Sequence, residues 1–549
     1  MRVQVSFFVF LMTTAVVGTM AGVSVVLGDE PAKDSSGNKT ATAVVSSDSR
    51  GDSLSNWLDD QGREIWGEPP EPCSDLTFAR RIYLDLLGRV PSVSELRDFQ
   101  GLGDKRRDVL VEQLVFGEGE RADVYKRLSA NNLARHWRRV LIPPGTTVNG
   151  SVASIETWLS DSFKSQTPYD EMMRQLARIP SDTSNGNYYQ LVGSLPENYA
   201  GHISRIMLGV RLECAQCHDH PFTDWEQKDF WGLAAFYSDM ARPGDADDAS
   251  QAVASGSIKY EGETYKAKVL WEDKPIKYRS ITPRSHLAKW ITAKDNPQFS
   301  ATAANRFWQY LVGHGLYADV ENLDEATPDE RAFLDMLGRI FADDDFNVSH
   351  LIAGICKSSW YQAKSSDKEP SNDQFARTLK VISPEQVFDS LEQSLLLSVS
   401  RIDPASSRWT GDRMQLVSRL SETVGATPED YASGIPQALL LMNGKMTSDA
   451  IDMDRSRLLR AVIESPFFDD KDRIETLYLA VLTREPTADE TKSMIAYLNS
   501  KSDSKSDSKS GDSNSTDPNS KPPADSSRNN AYGEILWALL NSPEFVLCR

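Results

Sequence analysis

The residues of this sequence best suited to chemistry are Cys214-Ala-Gln-Cys217-His218. Two sulfurs three positions apart lie about one helical turn from each other, so both can reach the vinyl groups on one porphyrin edge. The adjacent imidazole is then carried beneath the iron as its proximal ligand. That chemistry is covalent attachment, with haem c as the cofactor. Three other chemistries suit the same residues. Cys214, Cys217 and His220 could supply three zinc ligands, with a fourth from elsewhere, although no second CxxC and no HxxxH motif completes such a site. A Cys-x-x-Cys pair at a helix terminus can also be a redox dithiol with a lowered thiol pKa. Lastly, the pair could be a structural disulfide or a plain turn. For haem, the sequence names no distal ligand. Met207, Met240, His136, His202, His220, His286 and His314 are all candidates, and each also suits an ordinary core or surface position.

The element that must carry the motif is a helix ending just before it. Ile203, Ile206, Met207 and Val210 fall on one helical stripe. After the motif come Asp219, His220, Pro221, Phe222 and Trp225, then Phe230, Trp231 and Phe236. Aromatic residues at helical spacing read first as core. The same packing would keep water from a haem and raise its potential. Elsewhere the pattern is mainly α. Ser92 with Glu95, Thr223 with Glu226, and Thr487 with Glu490 have capping-box spacing. The clearest strand signal is Ile258 to Val269, where apolar residues alternate with Lys and Glu around Glu261-Gly262, predicting a hairpin. A second helical block starts after Tyr278.

The 549 residues are 40% hydrophobic and 25% charged, the proportions of a soluble globular protein. A total of 60 Lys and Arg against 79 Asp and Glu leaves a net charge of −19. That acid excess argues against nucleic acid as a partner, because such binding rests on cations that neutralise phosphates. No charge occurs between Arg2 and Asp29. The apolar stretch is longer than the roughly 7–15 residues of a cleaved signal core and long enough to span a bilayer. Residues 1–28 therefore read as a signal peptide or an N-terminal anchor, with membrane anchoring through residues 3–28 as one outcome. Either way the body is exported, to the periplasm or beyond. Residues 29–56 are a polar linker. Residues 499–530, including SKSDSKSDSKS, cannot bury enough apolar surface to fold and read as a disordered insert.

An internal repeat relates IYLDLLGRVPSVSE at 82–95 to LYLAVLTREPTADE at 477–490. Tyr, Leu, Leu, Arg, Pro, Ser or Thr, and Glu recur at identical spacing. A helix-turn-helix packing unit accounts for this. A paired site built on Arg89 and Arg484 is the functional alternative. Arg135, His136, Trp137, Arg138 and Arg139 form a basic-aromatic cluster that could meet haem propionates or simply be a salt-bridged helix face. Asp245, Asp247 and Asp248 hint at calcium but lack the glycine and closing glutamate of a calcium loop. Asp343-Asp344-Asp345 reads as a solvated loop. No GxxxxGK[ST], HExxH or GxSxG motif is present. Cys73, Cys356 and Cys548 lie in distant segments, so their pairing is not readable from spacing.

These residues resemble the planctomycete family of secreted proteins in which a cytochrome c-like PSCyt domain precedes a PSD domain. The first domain is suggested by RRIYLDLLGRVPSVSEL, ARHW at 134–137, TPYDEMMRQL at 167–176 and, most specifically, LGVRLECAQCHDHPFTDWEQKDFWGLAAFY at 208–237. The second is suggested by LAKWITAKDNPQFSATAANRFWQYLVGHGL at 287–316, SHLIAGICKSSWYQ at 349–362, LYLAVLTREPTADE and LLNSPEF at 539–545. The resemblance implies two helical domains, a PSCyt domain at 57–240 and a PSD-type domain at 283–549, joined by a linker with a small β-hairpin at 241–282. It also implies a haem site at Cys214, Cys217 and His218. Ala301 stands where relatives carry Arg, while Asn305, Arg306, Trp308, Gly313 and Gly315 match. Asn305 and Arg306 read as a buried polar clamp.

The expected function is an exported electron-transfer protein, or the haem-bearing part of an oxidoreductase, with an unknown redox partner. Its rival is a non-enzymatic secreted helical interaction or scaffold protein whose CxxCH holds a structural metal or a disulfide. A hydrolase acting on wall or polysaccharide material rests on the exported context alone.

Overall fold

A computed structural model describes residues 51–143, 146, 150–179, 188–239, 256–272, 274–275, 282–366, 375, 377–395, 417, 445–453, 455–503 and 526–548. The predicted export segment, Met240 and the acidic residues 245–248 lie outside these. The described residues are mainly helical, with a few short strands.

Local chemistry explains most helix starts. α1 (Asp52–Trp66) begins inside the stretch expected to be linker, because Leu54 and Leu58 are buried in the core. α2 (Asp75–Ile82) is capped by Ser74, which accepts from the Thr77 amide. It runs into one π-helical turn, Tyr83–Leu87. α3 (Val93–Gln100) carries the predicted Ser92–Glu95 capping box. α4 (Ala122–Leu141) is the longest helix among the described residues, and α5 (Pro196–Leu208) leads to the CxxCH motif. α6 (Gln227–Ala234) starts later than expected. Its capping pair is Glu226 with Asp229, not Thr223 with Glu226, because the Thr223 amide donates to His220 Nδ1 and stays in the preceding loop.

The hairpin forms as predicted: β1 (Ser257–Tyr260) pairs antiparallel with β2 (Glu263–Lys266). The turn residues Glu261 and Gly262 have φ of 49° and 88°, as a two-residue primed turn requires. The second block opens with α7 (Pro283–Ile291), α8 (Pro297–Val312), α9 (Pro328–Asp343) and α10 (Val348–Lys357), three of them with proline at the first helical position. α11 (Pro384–Ser394) and α12 (Asp470–Leu482) follow. α13 (Ala488–Asp503) and α14 (Ser526–Leu540) reach into both ends of the expected disordered insert. Lys501 pairs with Glu534 and Arg528 with Asp470, so side-chain contacts carry helix past the edges that composition suggested. Residues 504–525 lie outside the described set.

Both helical blocks share one hydrophobic core. Trp137 of α4 packs on Phe307 of α8 with ring centroids 4.3 Å apart, and Trp66 of α1 meets Trp360 at 5.1 Å. α8 and α9 cross closely at Gly338, where an added Cβ would lie 2.6 Å from the Ala301 amide nitrogen. Ala301 is itself buried against Leu323 and Leu334, where an arginine would bury a charge among apolar groups. A second core gathers apolar residues from 382–395, 450–498 and 531–548 around Leu84 and Val90 of the first repeat copy.

Candidate functional site

The CxxCH motif stands on a rigid platform. Ile203, Ile206, Met207 and Val210 are buried, as their stripe predicts. α5 ends at Gly209, whose φ of 61° suits glycine and whose missing Cβ leaves room for Leu323 and Thr302. The Leu323 amide donates to the Gly209 carbonyl at 2.7 Å. Arg306 of α8 donates to the Ile206 carbonyl (3.3 Å) and the Arg205 carbonyl (3.4 Å), satisfying acceptors at the helix end. Asn305 accepts from the Leu316 amide and donates to the Tyr317 carbonyl. The expected buried polar clamp is therefore real, and it fixes the helix end that presents the motif. Around it Arg205 pairs with Glu321 (2.7 Å) and Glu213 (3.3 Å), while Arg211 pairs with Asp319 (3.2 Å).

A single 3-10 turn, Glu213–Gln216, follows. Ala215 points into the core, while Cys214 and Cys217 are free and exposed. Trp231 Nε1 donates to the Gln216 carbonyl at 3.0 Å, and Gln227 Nε2 donates to the Cys217 carbonyl at 3.1 Å. These bonds anchor the turn from α6.

His218 of the motif and His220, two residues on, make opposite hydrogen bonds. His218 is exposed, and its Nδ1 lies 2.7 Å from the Asp219 carbonyl oxygen. A carbonyl only accepts, so Nδ1 donates there and Nε2 is the nitrogen that a metal would take. His220 is the reverse. Its Nδ1 accepts from the Phe222 (3.2 Å) and Thr223 (3.1 Å) amides, so Nε2 carries the proton. The Cys214, Cys217, His220 zinc set would break both bonds to free a ligand nitrogen. Among the described residues no group of three or more His, Cys, Asp or Glu is placed to hold a metal ion.

The donor set thus fits haem c attachment: two open thiols beside an imidazole with a free Nε2. Cys214 and Cys217 would hold the group covalently, and His218 would be its axial base. Four of the other ligand candidates sit in their own packing. His202 is buried between the Leu141 carbonyl (2.9 Å) and the Arg205 guanidinium (3.2 Å); burial and Arg205 push its pKa down to about 3, so it is neutral. His136 is buried against Tyr310, and burial with Arg139 and Lys380 lowers its pKa well below the ordinary range. Met207 faces the core. His314 lies beside the Gly315 carbonyl and the Phe375 ring.

Comparison with protein families gives two matches in order. PSCyt2, protein of unknown function (DUF1549), matches residues 55–242, and PSD1, protein of unknown function (DUF1553), matches residues 283–408. The chain belongs to the PSCyt2–PSD1 family. Comparison with curated proteins and with solved structures returned no match. Both domains being of unknown function, membership assigns no activity. In this PSCyt2–PSD1 protein the CxxCH turn comes from the PSCyt2 stretch, the clamp residues Asn305 and Arg306 come from the PSD1 stretch, and the hairpin lies in neither.

The remaining expectations resolve into structure. Arg135, Arg138 and Arg139 are committed to Asp389 (2.5 Å), Glu385 and Glu156, so they form a salt-bridged face of α4. Burial alone would raise the Glu385 pKa, but Arg139, Arg138 and Arg135 outweigh it and hold it at about 2. In the repeat, each Arg makes a two-pronged bond to Glu six residues on: Arg89 to Glu95 at 2.7 and 2.9 Å, Arg484 to Glu490 at 2.8 Å twice. Each Arg also lies over the Tyr six residues before it, and each Glu accepts from the helix-cap amide at 2.7 Å. The repeat is a packing unit. The three other cysteines are free and buried, with burial pushing the Cys356 and Cys548 thiols up, which leaves them unreactive.

Proposed function

We propose that this PSCyt2–PSD1 protein is an exported haem c protein that transfers electrons, alone or as the haem-bearing part of an oxidoreductase. The observation that carries the reading is the commitment of His218 Nδ1 to the Asp219 carbonyl, which leaves Nε2 free beside two exposed thiols. Cys214 and Cys217 are the tethers, His218 is the axial base, and the group supplies one-electron chemistry when bound. The charge-free stretch between Arg2 and Asp29 supports export, and thioether attachment takes place outside the cytoplasm.

The test is expression in a host competent for cytochrome c maturation. The expected product is red, is found outside the cytoplasm, and retains haem through denaturing electrophoresis. Cys214→Ser combined with Cys217→Ser should abolish the retained haem. A colourless product with one bound zinc would overturn the reading in favour of a secreted helical scaffold with a structural metal.

A further inference from the structure

A cleft of about 80 Å³ lies where residues 86–167 of the PSCyt2 stretch meet residues 347–352 of the PSD1 stretch. Its floor is apolar, built from Leu86, Leu133, Phe163 and Ile352. Its rim carries two cations, Lys126 and Lys164, and none of the described residues lining it is Asp or Glu. In a chain of net charge −19 that is a local reversal of sign. Arg135 and Arg138, farther along the same helix as Lys126, are committed to carboxylates. Lys126 and Lys164 make no hydrogen bond or ion pair among the described residues.

Packing and turn geometry bring both lysines to the rim. Gly117 ends the helix Arg106–Phe116 at φ 64°, and a Cβ there would lie 2.3 Å from Lys126 Cγ and 2.6 Å from its Cε. The Lys126 stem therefore runs along bare glycine backbone, where a long cationic side chain packs its methylenes and keeps its head in water. Lys164 is the last residue of the helix Gly150–Lys164. The chain turns sharply after it: Gln166 has φ 54° and its amide donates to the Phe163 carbonyl at 3.0 Å, while the Thr167 amide donates to the Ser162 carbonyl at 2.9 Å. Gln166 Nε2 then donates to Ser349 Oγ at 3.4 Å, which ties this turn to the first turn of α10. The positive end of the α10 dipole adds to the field of the two lysines.

We propose that this cleft binds a short-chain monocarboxylate, with the alkyl tail on the apolar floor and the carboxylate between Lys126 and Lys164. A concave apolar surface with a few convergent polar groups is the usual form of a small-molecule site, and here the convergent charges are both positive. A neutral ligand would leave the two ammonium groups unmatched, and a purely ionic one would leave the floor uncovered. At roughly 30 Å³ for each water-sized portion of space, about 80 Å³ takes a tail of about three carbons. The site is separate from the CxxCH turn and does not depend on the haem reading.

The probe is sodium butyrate, titrated into full-length protein at fixed ionic strength and followed by saturation-transfer NMR. Binding should saturate with a Kd on the order of 1 mM, within reach of so small a ligand. 1-Butanol, which has the tail without the charge, should bind roughly tenfold more weakly, and inorganic phosphate, which has charge without a tail, should not displace butyrate at equal concentration. Lys126→Met combined with Lys164→Met keeps both stems and should weaken butyrate roughly tenfold. Ser129→Leu tests the cleft independently of the lysines: this partly exposed lining residue of α4 would fill the space while both charges remain, and butyrate binding should be lost. A signal that does not saturate, displacement by equimolar phosphate, or an affinity unchanged in the double lysine variant or in Ser129→Leu would each overturn the site.

Discussion

At the residue scale, the placement of single protons separates the readings of the CxxCH turn. His218 and His220 are both near the thiols in sequence, yet Nδ1 donates in His218 and accepts in His220, so Nε2 is the nitrogen His218 has to offer a metal. In matured protein, His218→Ala should lose the absorption signature of an axial imidazole, while His220→Ala should keep it. The reverse pattern would show that the ligand assignment is wrong. The repeat gives a second contrast. Arg89 and Glu95 are nearly sealed from solvent, whereas Arg484 and Glu490 are about a third exposed. Removing one partner of a sealed pair strands a charge and costs about 3–5 kcal/mol, while an exposed pair is worth roughly 1 kcal/mol or less. Arg89→Met should therefore lower the denaturant midpoint far more than Arg484→Met. Equal losses would mean that the sequence copies are also energetic copies.

At the element scale, α4 and α11 are held together by Arg135, Arg138 and Arg139 on Glu385 and Asp389. The Glu385 pKa is depressed to about 2 in the folded protein. A depressed carboxyl stabilises the fold above its unfolded pKa and loses that contribution as pH falls through the folded value. Stability from this pair is thus complete above about pH 4.5 and fades toward pH 2. Glu385→Gln should flatten the melting temperature against pH across that window; an unchanged slope would remove Glu385 from the acid response. Sequence patterns located many such elements because the cues were local. Ser92 with Glu95 capped a helix where its spacing said it would, and Glu261-Gly262 turned the hairpin. Thr223 with Glu226 failed because His220, outside the spacing rule, captured the Thr223 amide. The edges of the low-complexity insert were misjudged for a related reason: Lys501 and Arg528 find partners on other helices, which composition cannot report.

At the scale of the whole molecule, the two matched stretches interpenetrate. Trp137 packs on Phe307 and Trp66 on Trp360, while Arg80, just before the first repeat copy, ties in the chain beyond the second matched stretch by donating to the carbonyls of Val481 (3.0 Å) and Phe545 (2.7 Å). Burial shared in this way makes neither stretch a complete core alone. A protease site introduced at 276–281 should yield fragments that stay together on gel filtration and part only in denaturant. Fragments that separate without denaturant would show two independent bodies.

What the sequence by itself determined was the chemistry of a few neighbouring residues: the CxxCH turn, the helical stripe beneath it, the hairpin and the repeated Tyr–Arg–Glu unit. Each depends on groups within about ten residues, where backbone geometry alone sets the distances. Tertiary structure decided how the imidazoles of His218 and His220 are hydrogen-bonded, that the inter-block hairpin packs on Trp231 and Gln227 of α6, and that Arg306 fixes the helix under the motif. Those outcomes depend on partners brought together by burial of distant apolar surfaces, and no spacing along the chain encodes such a distance.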